Sequence, residues 1–204
     1  MNFKRIARVN EELVQGLENF SLERLFFSVG YSNIAGLYTD GKEAAFGPLV
    51  TCGVVIDVHH TPTTSEVPST LQQLVSPIVD TVTGDEVNRV GNVDEAIRRS
   101  KLRLVEQIIQ EHPSLIVVSD PLIPELPVDC FPILRGSMYV YVLRLAMILA
   151  KELRKESLLS LLAEHPEWQV YDLASNLGFL SKKHREALLK HGKTPQHRYY
   201  VKVR

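Results

Sequence analysis

Apolar positions recur along this chain with two periods, and each change of period marks an element. In residues 10–19, NEELVQGLEN, the apolar side chains Leu13, Val14 and Leu17 fall on one helical face, which predicts a short leading helix. Ile34 to Leu37 predicts a first strand that runs into a turn at Asp40-Gly41-Lys42. Leu49 to Val58 is apolar almost throughout and β-branched, the pattern of a central strand. HHTPTTSEVPST, residues 59–70, reads as an exposed loop. Asn92 is placed to cap a helix with Asp94 and Glu95 in its first turn, where the helix dipole favours acids. That helix is predicted to reach about Glu111, with Ile97, Leu104, Val105, Ile108 and Ile109 inward, and Pro113 beyond its stop. LIVVSDP then predicts a short buried strand ending at Asp120, and the proline-punctuated PLIPELPVDCFP a loop. Ser137 to His165 reads as one long helix, apolar on nearly every side as far as Leu149 and so deeply buried at its start. VYDLASNLG opens a last element, and KKHREALLKHG a short helix that Gly192 terminates. No internal repeat interrupts this order. A helix followed directly by a buried strand indicates an α/β arrangement.

With 204 residues, 45% of them hydrophobic, the chain is expected to bury one sizeable core in a single domain. Its expected parts are a lead-in at 1–33, a core at 34–150 and a C-terminal helical and basic segment at 151–204. No apolar run approaches a membrane span and MNFKRIARVNEE is not a signal peptide, so a cytoplasmic protein is expected. Cys52 and Cys130 sit among apolar residues as two buried thiols, without the spacing of a zinc site. The net charge of -1 conceals an asymmetry. Residues 182–204 carry eight Lys or Arg against the single acid Glu186, while the rest of the chain is acidic. That distribution fits either a polyanion partner or a solvated helix end.

Three segments carry a more specific signal. GLYTDGKEAAFGPLV, residues 36–50, joins two strands through a glycine turn. GSMYVYVLRLAMILAKELRKE begins the long helix, with Lys151 fourteen residues after Ser137. YDLASNLGFLSKKHREALLKHGKTPQHR closes the chain with Asn176, Gly178, Phe179, His184, Gly192, Thr194, Pro195, His197 and Arg198. In this order and spacing they resemble the type 2 ribonuclease H family, the bacterial HII and HIII enzymes and their archaeal relatives. The first segment is similar to an HIII pattern, G-x-D-E-x-G-K-G-D-x-F-G-P-L-V, at Gly36, Gly41, Lys42, Phe46, Gly47, Pro48, Leu49 and Val50. The resemblance spans roughly residues 34–200. It implies an RNase H-like mixed sheet flanked by helices, with a C-terminal helical extension and the site at strand ends.

Enzymes of that family cut RNA in hybrids with DNA, using two divalent ions held by four acids. Such ions, about 3.5–4 Å apart, activate water and stabilise the leaving oxygen. Carried over to this chain, the four acid positions fall on Tyr38, Thr39, Asp120 and Ser137, so only Asp120 retains a carboxylate. The resemblance therefore implies a non-catalytic member with residual binding of RNA/DNA duplexes, for which no metal cofactor is expected. Two alternatives stand beside it. A weakened ribonuclease could use Mg²⁺ or Mn²⁺ on Asp120 with Asp40 and Glu43. A protein-interaction scaffold could have its old cleft filled by Tyr38. Duplex contacts are expected at Gly41, Lys42, Lys151, Phe179 and Arg198; Phe179 stands where the family has a stacking tyrosine. A monomer or weak oligomer is expected. His59-His60 reads as plain loop surface, Trp168 as a cover over the end of the long helix, and the DEAIRRSKLR charges as a solvated helix face.

Overall fold

The computed structural model describes residues 20–59, 77–112, 114–120 and 125–202. The predicted helix at 10–19, most of the 59–70 loop and Pro113 lie outside the described residues. The elements in order are α1 (Ser21–Ser28), β1 (Asn33–Asp40), β2 (Leu49–Asp57), β3 (Ile78–Val82), α2 (Gly84–Val90), α3 (Val93–Glu111), β4 (Leu115–Ser119), β5 (Asp129–Pro132), α4 (Tyr141–Glu164), α5 (Leu173–Asn176) and α6 (Lys182–His191).

The five strands form one mixed sheet in the order β3-β2-β1-β4-β5. β1 pairs antiparallel with β2, placing Tyr38 opposite Cys52 and Thr39 opposite Thr51, and parallel with β4. Strand side chains alternate between faces, and the two faces meet different helices. Ile34, Ile116 and Val118 pack with Val142, Leu145, Ala146 and Leu149 of α4, whereas Ala35, Leu37 and Val117 pack with Val105 and Ile108 of α3. Gly36 permits the close approach of β1 to α4: a Cβ there would meet the Val142 carbonyl oxygen at 2.6 Å.

The caps follow sequence chemistry. The Asn92 side chain accepts from the amides of Asp94 (2.9 Å) and Glu95 (3.2 Å) at the start of α3. Thr83 and Glu86 form a reciprocal capping box on α2. Four expectations are corrected. The first strand runs through Asp40 rather than ending at Leu37, because β2 pairs with its full length. The loop before the long helix contains β5, an edge strand that closes on Pro132, where the missing amide is tolerated. The long helix starts at Tyr141, since Gly136–Met138 form a 3₁₀ turn ahead of it. Cys52 is buried but Cys130, on the edge strand, is only half-buried. Among the described residues no helix is long and apolar enough to cross a membrane.

Candidate functional site

The C-terminal ends of β1 and β4 lie side by side, and the groups of interest gather there. Alternation sends Tyr38 and Asp40 toward α4 and Thr39 toward α3. Tyr38 packs at the edge of the α4 core, where burial, followed by the nearby charges of Asp40 and Asp120, holds its phenol protonated above the usual tyrosine range. Thr39 joins a chain of hydroxyls: its Oγ1 lies 2.9 Å from that of Thr51, which in turn lies 2.6 Å from Ser100 Oγ. Ser100 also reaches Asp80 at 2.6 Å, and Arg103 clamps both oxygens of Asp80 at 2.9 and 2.6 Å.

Asp120 meets a cation that the sequence pattern did not single out. Lys101, fully buried on α3, donates to Asp120 Oδ1 at 2.6 Å and to Ser119 Oγ at 3.1 Å. Ser119 Oγ in turn donates to the Leu37 carbonyl at 3.3 Å. Burial pulls the Lys101 ammonium below the usual lysine range, and the Asp120 carboxylate opposes that shift. The expectation that the charges of DEAIRRSKLR all face solvent is thus corrected for Lys101. It lies four residues after Ile97 and three before Leu104, on the inward stripe of the helix.

Asp40 faces a second buried cation. Arg154 of α4, 2% exposed, comes within 3.6 Å of Asp40 Oδ2. Its Nε donates to the Pro48 carbonyl at 3.0 Å, and its Nη2 to those of Leu177 at 2.9 Å and Phe46 at 3.4 Å. The guanidinium lies 5.5 Å from the centroid of Phe179, whose ring is 42% exposed. Phe179 is therefore set on the same side chain that holds the turn between β1 and β2.

The turn itself is strained open. Gly41 has φ of +94°, and a Cβ there would collide with Arg154 Nε and the Pro48 carbonyl. Lys42 pairs with Asp94 at 2.9 Å, and Glu43 is exposed. The Asn176 side chain holds the next turn by accepting from the Gly178 amide at 2.8 Å, and the Gly178 carbonyl accepts from Ala45 (2.8 Å) and Phe46 (3.1 Å). The C-terminal segment then adds to Ala45–Gly47 through Arg198 N to Ala45 O at 2.8 Å and Gly47 N to Gln196 O at 3.0 Å.

Two buried histidines lock this assembly. His184 Nδ1 donates to the Phe179 carbonyl at 2.9 Å, which leaves its Nε2 as acceptor for His197 Nε2 at 3.1 Å. His197 Nδ1 accepts from the Thr194 amide at 2.9 Å. Burial, with help from His184 and Lys193, pushes His197 down to about 3. Both rings are neutral in this network.

Of the expected contact residues, Lys42 and Phe179 reach the surface beside Gly41, and Lys151 is exposed on α4. Arg198 is fully buried, with no hydrogen-bond partner for its guanidinium nitrogens among the described residues, and burial lowers it to about 10; it presents no surface to a phosphate in this conformation. Lys193 is also engaged, donating to the carbonyls of Arg198, Tyr199 and Val201. Ser137 is half-buried in the 3₁₀ turn. Trp168 stacks on His165 at 3.9 Å, at the end of α4 as expected. Tyr199 and Tyr200, which no sequence motif marks, are 63% and 46% exposed. Tyr200 lies within electrostatic reach of Lys42, Glu43 and Asp94.

No family model matches the chain. It is 29% identical to ribonuclease HII of Trichormus variabilis over 84% of each chain, and 29% identical to that of Lactobacillus gasseri over 96% of this chain and 80% of that one. In structure it superposes on ribonuclease HII in the PCNA complex from Archaeoglobus fulgidus, with a TM-score of 0.62 and 19% identity over 84% of this chain and 96% of that one. The chain is similar in sequence to ribonuclease HII enzymes and shares the fold of the type 2 ribonuclease H family. A further neighbour is the HIII enzyme Bst-RNase HIII in complex with Mn²⁺, with a TM-score of 0.57 and 14% identity over 86% of this chain and 69% of that one. For this chain the fit of a metal is decided by its donors. Among the described residues no group of three or more His, Cys, Asp or Glu side chains is arranged to hold an ion. Asp120 contacts the Lys101 ammonium, and Asp40 faces the Arg154 guanidinium. This donor set does not fit a divalent pair.

Proposed function

We propose that this ribonuclease HII/HIII-like chain is non-catalytic and binds nucleic-acid duplexes through the rim around Phe179. The observation that carries the proposal is the neutral chemistry of the strand end. Tyr38 is packed and protonated, and Thr39 is hydrogen-bonded into the Thr51–Ser100 chain. Hydroxyl groups in those states supply neither the negative charge nor the free lone pairs that hard divalent ions require. A weakened ribonuclease would need Asp40, Glu43 and Asp120 at one ion. Asp40 faces Arg154, Glu43 stands exposed in the turn and Asp120 meets Lys101, and these placements support the non-catalytic reading.

For binding, the exposed Phe179, Tyr199 and Tyr200 serve in this reading as stacking faces, and the exposed Lys42 and Lys151 as phosphate partners. Aromatic stacking tolerates any base, and phosphate contacts weaken with salt. Glu43 in the turn opposes close approach of a phosphate, so weak, salt-sensitive binding is expected. The test uses labelled RNA/DNA hybrid and DNA carrying one ribonucleotide, with Mg²⁺ or Mn²⁺ and with Asp120→Asn prepared in parallel. Binding by fluorescence anisotropy without cutting is the expected result. Cutting by the wild type that Asp120→Asn abolishes would overturn the proposal.

A further inference from the structure

We infer that Lys101 is a built-in cation that takes the place of a metal ion at the strand ends, so that the remaining carboxylate is satisfied from within the protein. The inference rests on the reading of the cleft as free of divalent ions, and it accounts for the retention of Asp120 where the other matched positions lost their acids. A fully buried ammonium requires a negative partner, and Asp120 supplies it. The Lys101 side chain is fully enclosed, whereas that of Asp120 is 33% exposed. The ammonium therefore approaches the carboxylate from the inside of the sheet. Its second partner, Ser119 Oγ, is positioned by the Leu37 carbonyl, so both strand ends hold the cation in place.

Two consequences follow for metal binding. The ammonium occupies one carboxylate oxygen at 2.6 Å, and its charge repels any divalent ion brought to the other. Restoring acids at Tyr38 and Thr39 alone would leave that cation in place. The Lys101–Asp120 pair also becomes interdependent: removing either partner takes from the other its opposite charge in this pair, while removing both relieves the mismatch.

The test compares thermal midpoints of the wild type, Lys101→Met, Asp120→Asn and the double variant, each in EDTA and in millimolar Mn²⁺. Each single variant is expected to lose several degrees and the double variant to regain more than half of the larger loss. Mn²⁺ is expected to raise the midpoint of Lys101→Met alone, where a carboxylate has lost its cation. Single losses that simply add in the double variant would overturn the inference. So would a wild-type midpoint that rises with Mn²⁺ and stops doing so in Asp120→Asn. If Lys101→Met does not fold, a double variant that folds supports the pairing and one that does not overturns it. Duplex binding and cleavage are read separately, so an active wild type with intact Lys101–Asp120 coupling would refute the proposed function without refuting the coupling.

Discussion

Replacing Arg154 with methionine tests how the site is held together. Methionine keeps most of the side-chain stem and removes the guanidinium. In the native structure that group serves two good carbonyl acceptors, Pro48 at 3.0 Å and Leu177 at 2.9 Å, a third at 3.4 Å on Phe46, and the Asp40 carboxylate at 3.6 Å. A buried acceptor stripped of its donor costs about 1–3 kcal/mol, and breaking a buried charged network by removing one partner costs about 3–5 kcal/mol. The native guanidinium already bears a desolvation penalty, since burial lowers its pKa against the opposing effect of Asp40. The loss should therefore fall near the middle of that range, at about 4 kcal/mol. For a chain of this size that is a drop of roughly 8–16 °C in Tm. Urea unfolding followed by far-ultraviolet circular dichroism gives the free energy directly. Asp40→Asn, which touches only the longest of the four contacts, should cost less than about 1 kcal/mol. A loss below about 1 kcal/mol for Arg154→Met, or one matched by Asp40→Asn, would refute the assignment of Arg154 as the tie between the turn and the Phe179 segment.

Other outcomes follow from the same structure. Because His197 has a folded pKa of about 3, below its unfolded value, the stability linked to its neutral form is present above about pH 6.5 and is lost as pH falls toward 3. The wild type should lose about 1.2 kcal/mol more than His197→Gln between pH 6 and pH 5, measured by urea unfolding. Phe179→Ala should weaken binding to an RNA/DNA hybrid about tenfold, within the range for one lost stacking face, and leave the salt slope of the binding constant unchanged. Gly36→Ala should lower Tm clearly, because its Cβ would press on the Val142 carbonyl at 2.6 Å; an unchanged Tm would contradict the close approach of β1 and α4.

The parts of the fold legible in the sequence are those whose cause is local. Asn92 announces its helix because a short polar side chain can bond the amides ahead of it, and Leu49–Asp57 reads as a central strand because both its faces are covered. The Thr83-to-Glu86 capping box was also present as a signal for α2, and it was missed between two weak neighbours. β3 is short and half-buried, with an aspartate at its centre, so it offered little periodicity. The site was legible in position but not in its contacts. Lys101 and Arg154 fall on the apolar stripes of their helices, four residues from Ile97 and from Ala150, and that spacing could have flagged them as buried cations. Their partners, Asp120, Asp40 and three carbonyls, come from distant parts of the chain. No local pattern encodes those meetings, and none encodes the burial of Arg198 beneath a segment that reads as a solvated basic tail.

The hydroxyl chain from Thr39 to Asp80 makes the present state hard to leave. A glutamate placed at position 39 would enter a site built from neutral hydroxyls. It would stand across from Thr51, one hydroxyl relay away from an aspartate already claimed by Ser100 and Arg103. Nothing in that relay offers a positive charge to a new carboxylate, so the sheet's own hydrogen bonds hold this strand end uncharged.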